Sequence, residues 1–122
     1  MIIATTALIV YVILFHLWAM VLEMFFWTKP LGRKTFGLSK EDAEVSKTLA
    51  ANQGLYNGFL VAGLVLSFFV PNPDTTFTLQ VFFLACVSLA GLYGGITAKM
   101  SIMFMQGLPA MLALALLFLS CG

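Results

Sequence analysis

Residues 2–27 read IIATTALIVYVILFHLWAMVLEMFFW. The run is almost continuously apolar and shows no alternation of period two, so it is not a half-buried strand. About 20 helical residues cross the hydrocarbon core of a bilayer. There, where no water solvates the backbone, the chain must pair its own N–H and C=O groups. The stretch therefore reads as a transmembrane helix. No Lys or Arg precedes it and no small-residue cleavage site follows, so it is read as a retained first span and not as a secretory signal. It is longer than the minimum, and the excess is expected to tilt or to project into the headgroups.

The rest of the chain repeats the pattern. Apolar runs at 49–70, 76–98 and 102–120 are each of spanning length. Of 122 residues, 61% are hydrophobic and 9% charged, against about 25% charged in soluble domains. Mean hydropathy is +1.04. The expected fold is all-α, an integral membrane bundle of four transmembrane helices forming a single domain over 1–122. Pro71 and Pro73 break the chain between the second and third runs. TKPLGRKTFGLSKEDAEVSK separates the first and second, and a short turn near Lys99 joins the third and fourth. Ser39, followed by acidic residues, is placed to cap a helix that begins near Glu41 and continues into the second span.

Charge sets the expected orientation. Lys29, Arg33, Lys34, Lys40 and Lys47 lie in the first loop and Lys99 at the third turn, which accounts for all six basic residues on one side. By the positive-inside rule that side is cytoplasmic. Both termini then lie outside the cytoplasm, and a bacterial inner membrane is the expected setting. The net charge of +1 says nothing about nucleic acid, but no basic run or RNA-binding motif appears, so nucleic acid is not expected as a partner. Cys86 and Cys121 each sit in an apolar run and read as packed thiols. One His and two separated Cys supply no metal site.

Polar residues within the spans carry the functional signal. An ionisable side chain there costs about 2.5–3.5 kcal/mol on insertion scales and normally faces protein or a watery cavity. Glu23, near the inner end of the first span, reads either as a packing group bonded to a neighbouring helix or as an acid or base in a site. Asn52, Gln53, Tyr56 and Asn57 open the second span. Tyr93 and Thr97 close the third. Lys99, Ser101 and Gln106 open the fourth. All fall toward the cytoplasmic half, while the other half offers little beyond Thr, Ser and Tyr11. Asn52 and Tyr56, and likewise Gln53 and Asn57, are four apart and share a helix face. His16 and Glu23 lie about 10 Å apart along the axis, too far for a direct dyad, so His16 reads as a packing residue. Gly54/Gly58 and Gly91/Gly95 have the GxxxG spacing of close helix contacts. Pro109 cannot donate to the carbonyl of Met105, so a kink there is expected to free an acceptor.

LEMFFW, FG in the loop, AANQGLYNGFLVAGL, YGG and QGLPAMLALAL together resemble a family of small bacterial and fungal membrane proteins, the domain of unknown function 1304. The resemblance covers essentially the whole chain, with NQGLYNGFL its most specific element, and implies no established activity. More distantly, the layout looks like the membrane-associated proteins of eicosanoid and glutathione metabolism. That likeness implies four helices, outward termini, a long basic first loop and a homo-oligomer, with a trimer favoured. GRKTFGLSKEDA resembles the first loop of that group, QGLPAMLAL the start of its fourth helix, and Asn52 falls where it carries a glutathione-binding asparagine. Thr48, Ala51 and Leu55 stand where that group places arginines and a glutamate. The anion glutathione needs such cationic donors, so no cofactor is expected and glutathione remains only an alternative.

Three functions fit these residues. The first is a binding protein whose polar pocket, in the cytoplasmic half of the bilayer, holds a lipid or amphipathic small molecule by its head. Its ligand-binding residues would be Asn52, Gln53, Tyr56, Asn57, Tyr93, Thr97, Lys99 and Gln106. The second is a membrane enzyme, glutathione-transferase-like or other, on a lipophilic substrate, with Glu23 as catalytic acid or base. The third is a small-solute or proton transporter or its accessory subunit.

Overall fold

The computed structural model describes residues 1–121, with side chains through Ser120. Every regular element among them is helical. They are α1 (Ile2–Phe25), α2 (Pro30–Phe36), α3 (Lys40–Ser67), α4 (Pro73–Thr97) and α5 (Met100–Ser120). Four of these, all but α2, are long and apolar enough to cross a membrane. The protein is thus an all-α, multi-pass integral membrane protein.

Local chemistry explains where each helix starts. At the head of α3, Ser39 Oγ accepts the N–H of Asp42 at 3.0 Å, and Glu41 and Asp42 in the first turn complement the positive end of the helix. At 28 residues the helix is about 42 Å long, against a hydrocarbon core of about 30 Å. Its charged first turns therefore continue beyond the membrane, and the span expected from residue 49 is the inner part of a longer rod. The chain breaks between the second and third spans where Pro71 and Pro73 were expected to break it, and Pro73 itself opens α4. Asn72 Oδ1 accepts the N–H groups of Asp74 and Thr75 at 2.8 and 3.3 Å, and a proline at the first helical position sacrifices no bond. The helix consequently starts at 73, ahead of the expected 76.

One helix was not expected. α2 lies inside the first loop, begins on Pro30 and ends on Gly37, whose φ of +66° is left-handed. Glycine enters that region without a Cβ clash.

α5 is not uniform. Met103–Gly107 forms a π-helical turn between Met100–Ile102 and Leu108–Cys121, and the Leu108 N–H reaches back to the Met103 carbonyl. This widened turn is how the chain absorbs Pro109. The Met105 carbonyl, deprived of its proline partner, accepts the Tyr11 hydroxyl at 2.9 Å.

The chain packs as two compact units, one of Met1–Phe15 with Ala62–Gly122 and one of His16–Val61. In the first, Ile9, Val12, Leu84, Val87, Ala110 and Ala113 are sealed from solvent. Gly91 lies against the backbone of Gly107, and a Cβ on Gly91 would overlap the Gly107 N and Cα. α4 and α5 can touch there because Gly91 lacks a side chain, and a Cβ on Gly107 would already be tight at 3.3 Å from Gly91. In the second unit Leu22, Ala43 and Ala50 are buried. The Trp27 ring packs at a tilt of 47° against Phe36, with centroids 4.8 Å apart, and its indole N–H donates to Ser46 Oγ at 3.0 Å. Cys86 is a half-buried free thiol; the Cys121 side chain lies outside the described residues.

Two substitutions test this packing in mixed-micelle unfolding titrations. Tyr11→Phe is expected to lower stability by about 0.6 kcal/mol, the mean for a membrane hydrogen bond. Gly91→Leu is expected to cost more, because it forces α4 and α5 apart.

Candidate functional site

Within the unit His16–Val61, α1 presents Met20, Glu23 and Met24, which at spacings of three and four residues form one stripe. α3 presents Gly54, Asn57 and Gly58 on the facing side. A Cβ on Gly54 would sit 2.7 Å from Met24 Cγ, 3.1 Å from Glu23 Cβ and 3.2 Å from the Met20 carbonyl oxygen. On Gly58 it would sit 2.9 Å from Met20 Sδ. The glycine pair therefore lets the two helices approach more closely than side chains would allow. That approach brings Asn57 Nδ2 to 2.6 Å of Glu23 Oε1, where the amide donates to the carboxyl group. Asn57 is buried and Glu23 half-buried. The second carboxyl oxygen of Glu23 takes no hydrogen bond among the described residues.

The other residues singled out on α3 face elsewhere. Asn52, Gln53 and Tyr56 are exposed, and the Tyr56 ring stands edge-on to Phe59 at 5.8 Å. Gln53 and Asn57, although four apart, differ in environment. The stripe centred on Gly54, Asn57 and Gly58 is the one pressed against α1, and Gln53 lies at its edge. His16 is buried at 2% exposure.

The remaining residues belong to the unit of Met1–Phe15 and Ala62–Gly122. Tyr93 is 71% exposed. Its carbonyl receives the Thr97 hydroxyl at 2.7 Å, so Thr97 uses its donor on its own helix. Lys99 is exposed and precedes the first turn of α5 in extended conformation. Gln106 is half-buried inside the π-helical turn.

One buried polar pair escaped the sequence reading. Gln80 Nε2 donates to Ser67 Oγ at 3.1 Å, and Ser67 Oγ donates in turn to the Leu64 carbonyl at 2.5 Å. Gln80 interrupts the apolar run FTLQVFFL, a signal of the same kind as Glu23. The membrane half read as nearly bare of hydrogen-bonding groups thus holds a satisfied pair of its own.

A family model described as protein of unknown function (DUF1304) matches residues 10–118, a range that takes in every residue of both groups. The chain is also similar to uncharacterized protein YpaA of Lactococcus lactis subsp. lactis (strain IL1403), with 34% identity over 116 residues. The match covers 93% of this chain and 96% of that protein. No solved structure matches the chain.

A double-mutant cycle on Glu23→Leu and Asn57→Leu isolates the interhelical bond. The expected coupling is about 0.6 kcal/mol and at most ~1.7, the range measured for hydrogen bonds inside membranes, read from unfolding in mixed micelles. Gly54→Leu is expected to abolish that coupling, because the added side chain would occupy the space now held by Met24 and the Glu23 stem.

Proposed function

Since this chain belongs to the DUF1304 family, whose description names no activity, we propose a function from its own geometry: it binds a lipid or other amphipathic small molecule by its head, at the Glu23–Asn57 pair. The reading rests on one observation. An intramembrane carboxyl group is held at 2.6 Å by a buried amide, yet only one of its two oxygens is engaged. The open oxygen is an acceptor, so the complementary head is a donor, an ammonium or hydroxyl group. Asn57 fixes the carboxyl orientation in advance, which reduces the ordering cost of binding. Exposed Phe25, Leu55 and Phe59 supply apolar surface for a tail, and exposed Asn52, Gln53 and Tyr56 supply further polar contacts on α3.

The same open oxygen supports a second reading, a membrane enzyme on a lipophilic substrate, in which Glu23 takes or delivers a proton at the bound head. Assembly as a homo-oligomer, with a trimer favoured, belongs to the proposal through the distant resemblance to a trimeric group.

Native mass spectrometry of the full chain with phosphatidylethanolamine and phosphatidylcholine tests the binding reading. The first head carries N–H donors and the second carries none. Preferential retention of phosphatidylethanolamine is expected, and Glu23→Leu should remove the preference while the protein remains folded. Equal retention of the two lipids by the unaltered protein would sink the proposal. The same spectra read the number of chains, expected to be three.

A further inference from the structure

The basic first loop does more than bias orientation. α2 follows the end of α1 by four residues, so it lies at the membrane surface. Its position is tightly set. Gly32 is buried against the end of α1, where a Cβ would overlap the Phe26 carbonyl, and Phe36, one turn on, packs at a tilt against Trp27. With Gly32 turned inward, Leu31 and Lys34 are exposed, as are Lys29 and Phe26 nearby. Lys29 and Arg33, four apart, share a face, and Lys34 adjoins it. Among the described residues none of these three cations forms an ion pair; Lys47 instead pairs with Glu44 on the exposed side of α3. Arg33 is half-buried, and its Nε is shielded from solvent with no hydrogen-bond partner. That buried N–H is out of reach of an outside group, whereas the terminal nitrogens of the guanidinium are not buried and take no hydrogen bond among the described residues, so they are open to an external acceptor.

We infer that α2 and its flanks form a binding site for the phosphate headgroup of an anionic phospholipid, with Arg33 and Lys34 as the phosphate ligands and Lys29 beside them. Charge complementarity selects a phosphate anion, and a guanidinium presents paired N–H donors to phosphate oxygens in a way an ammonium cannot. The exposed Leu31 and Phe26 beside the cations select the lipid form over a soluble anion, because they offer apolar surface to the acyl region just below the headgroup. Trp27, an interfacial aromatic held by Phe36 and Ser46, lies against this surface. The site is separate from the Glu23–Asn57 pair and does not depend on what that pair binds.

Trp27 also provides the readout. The chain has two tryptophans, so the full-length Trp18→Phe protein reports from Trp27 alone. It is reconstituted in phosphatidylcholine vesicles that carry, at equal mole fraction, either brominated phosphatidylcholine or brominated phosphatidylglycerol. Quenching by the brominated phosphatidylglycerol is expected to be roughly twofold stronger and to weaken as salt is raised. Arg33→Gln with Lys34→Gln should bring the two lipids level, whereas Lys47→Gln, which removes an already paired cation, should leave the preference intact. Lys34→Gln alone, at an exposed position, should reduce the preference without disturbing the packing of α2. Equal quenching in the unaltered background overturns the site. So does a preference that survives the double substitution, or one erased by inorganic phosphate in the buffer, which would mark a soluble-anion site.

Discussion

Inside a bilayer a polar group that loses its partner finds no water to replace it. Three departures from a uniform apolar helix in this protein are each matched by a specific acceptor or donor. Pro109 removes the donor for the Met105 carbonyl, and Tyr11 supplies one from another helix. Glu23 in α1 is met by Asn57 in α3. Gln80 in α4 is met by Ser67, which passes its own hydrogen to Leu64. In each case the polar group joins two segments distant in sequence, so satisfying it also fixes how those segments pack.

Small residues make those pairings reachable. Lipid tails are as apolar as leucine, so burial drives helices together only weakly in a membrane, and close van der Waals contact must contribute. Gly54 and Gly58 bring α3 against Met20 and Met24, and only at that separation does the short asparagine side chain reach Glu23. Gly91 and Gly107 do the same for α4 and α5, beside the π-helical turn. The Glu23 carboxyl is therefore held by packing as much as by its hydrogen bond. A carboxyl group held in this way, with one oxygen unused, is suited to recognising a donor on a small amphipathic molecule.

The first loop follows a different logic because it lies at the membrane boundary. Its charges are tolerated there, and its short helix is fixed by a glycine against α1 and by a tilted aromatic contact. Cations held in fixed positions beside exposed apolar side chains form a surface suited to anionic headgroups. Along the sequence alone these residues mark only the orientation of the spans.

Much of the architecture was legible in the residues themselves. Spanning helices follow from the length and continuity of the apolar runs, since only a helix satisfies its own backbone in lipid. Ser39 correctly marked the start of α3, because its hydroxyl caps the first turn through neighbours in sequence, and Pro109 correctly announced a freed carbonyl. What could not be read was every choice that depends on a partner distant in the chain. α2 exists because Gly32 can lie flat on the end of α1. Asn57, rather than Gln53 or Asn52, meets Glu23 because the neighbouring glycines turn that stripe of α3 toward α1. Hydropathy and spacing act along one dimension and settle which segments cross the membrane. Which polar side chain meets which is decided by helix rotation and separation, and those are fixed only when the side chains pack.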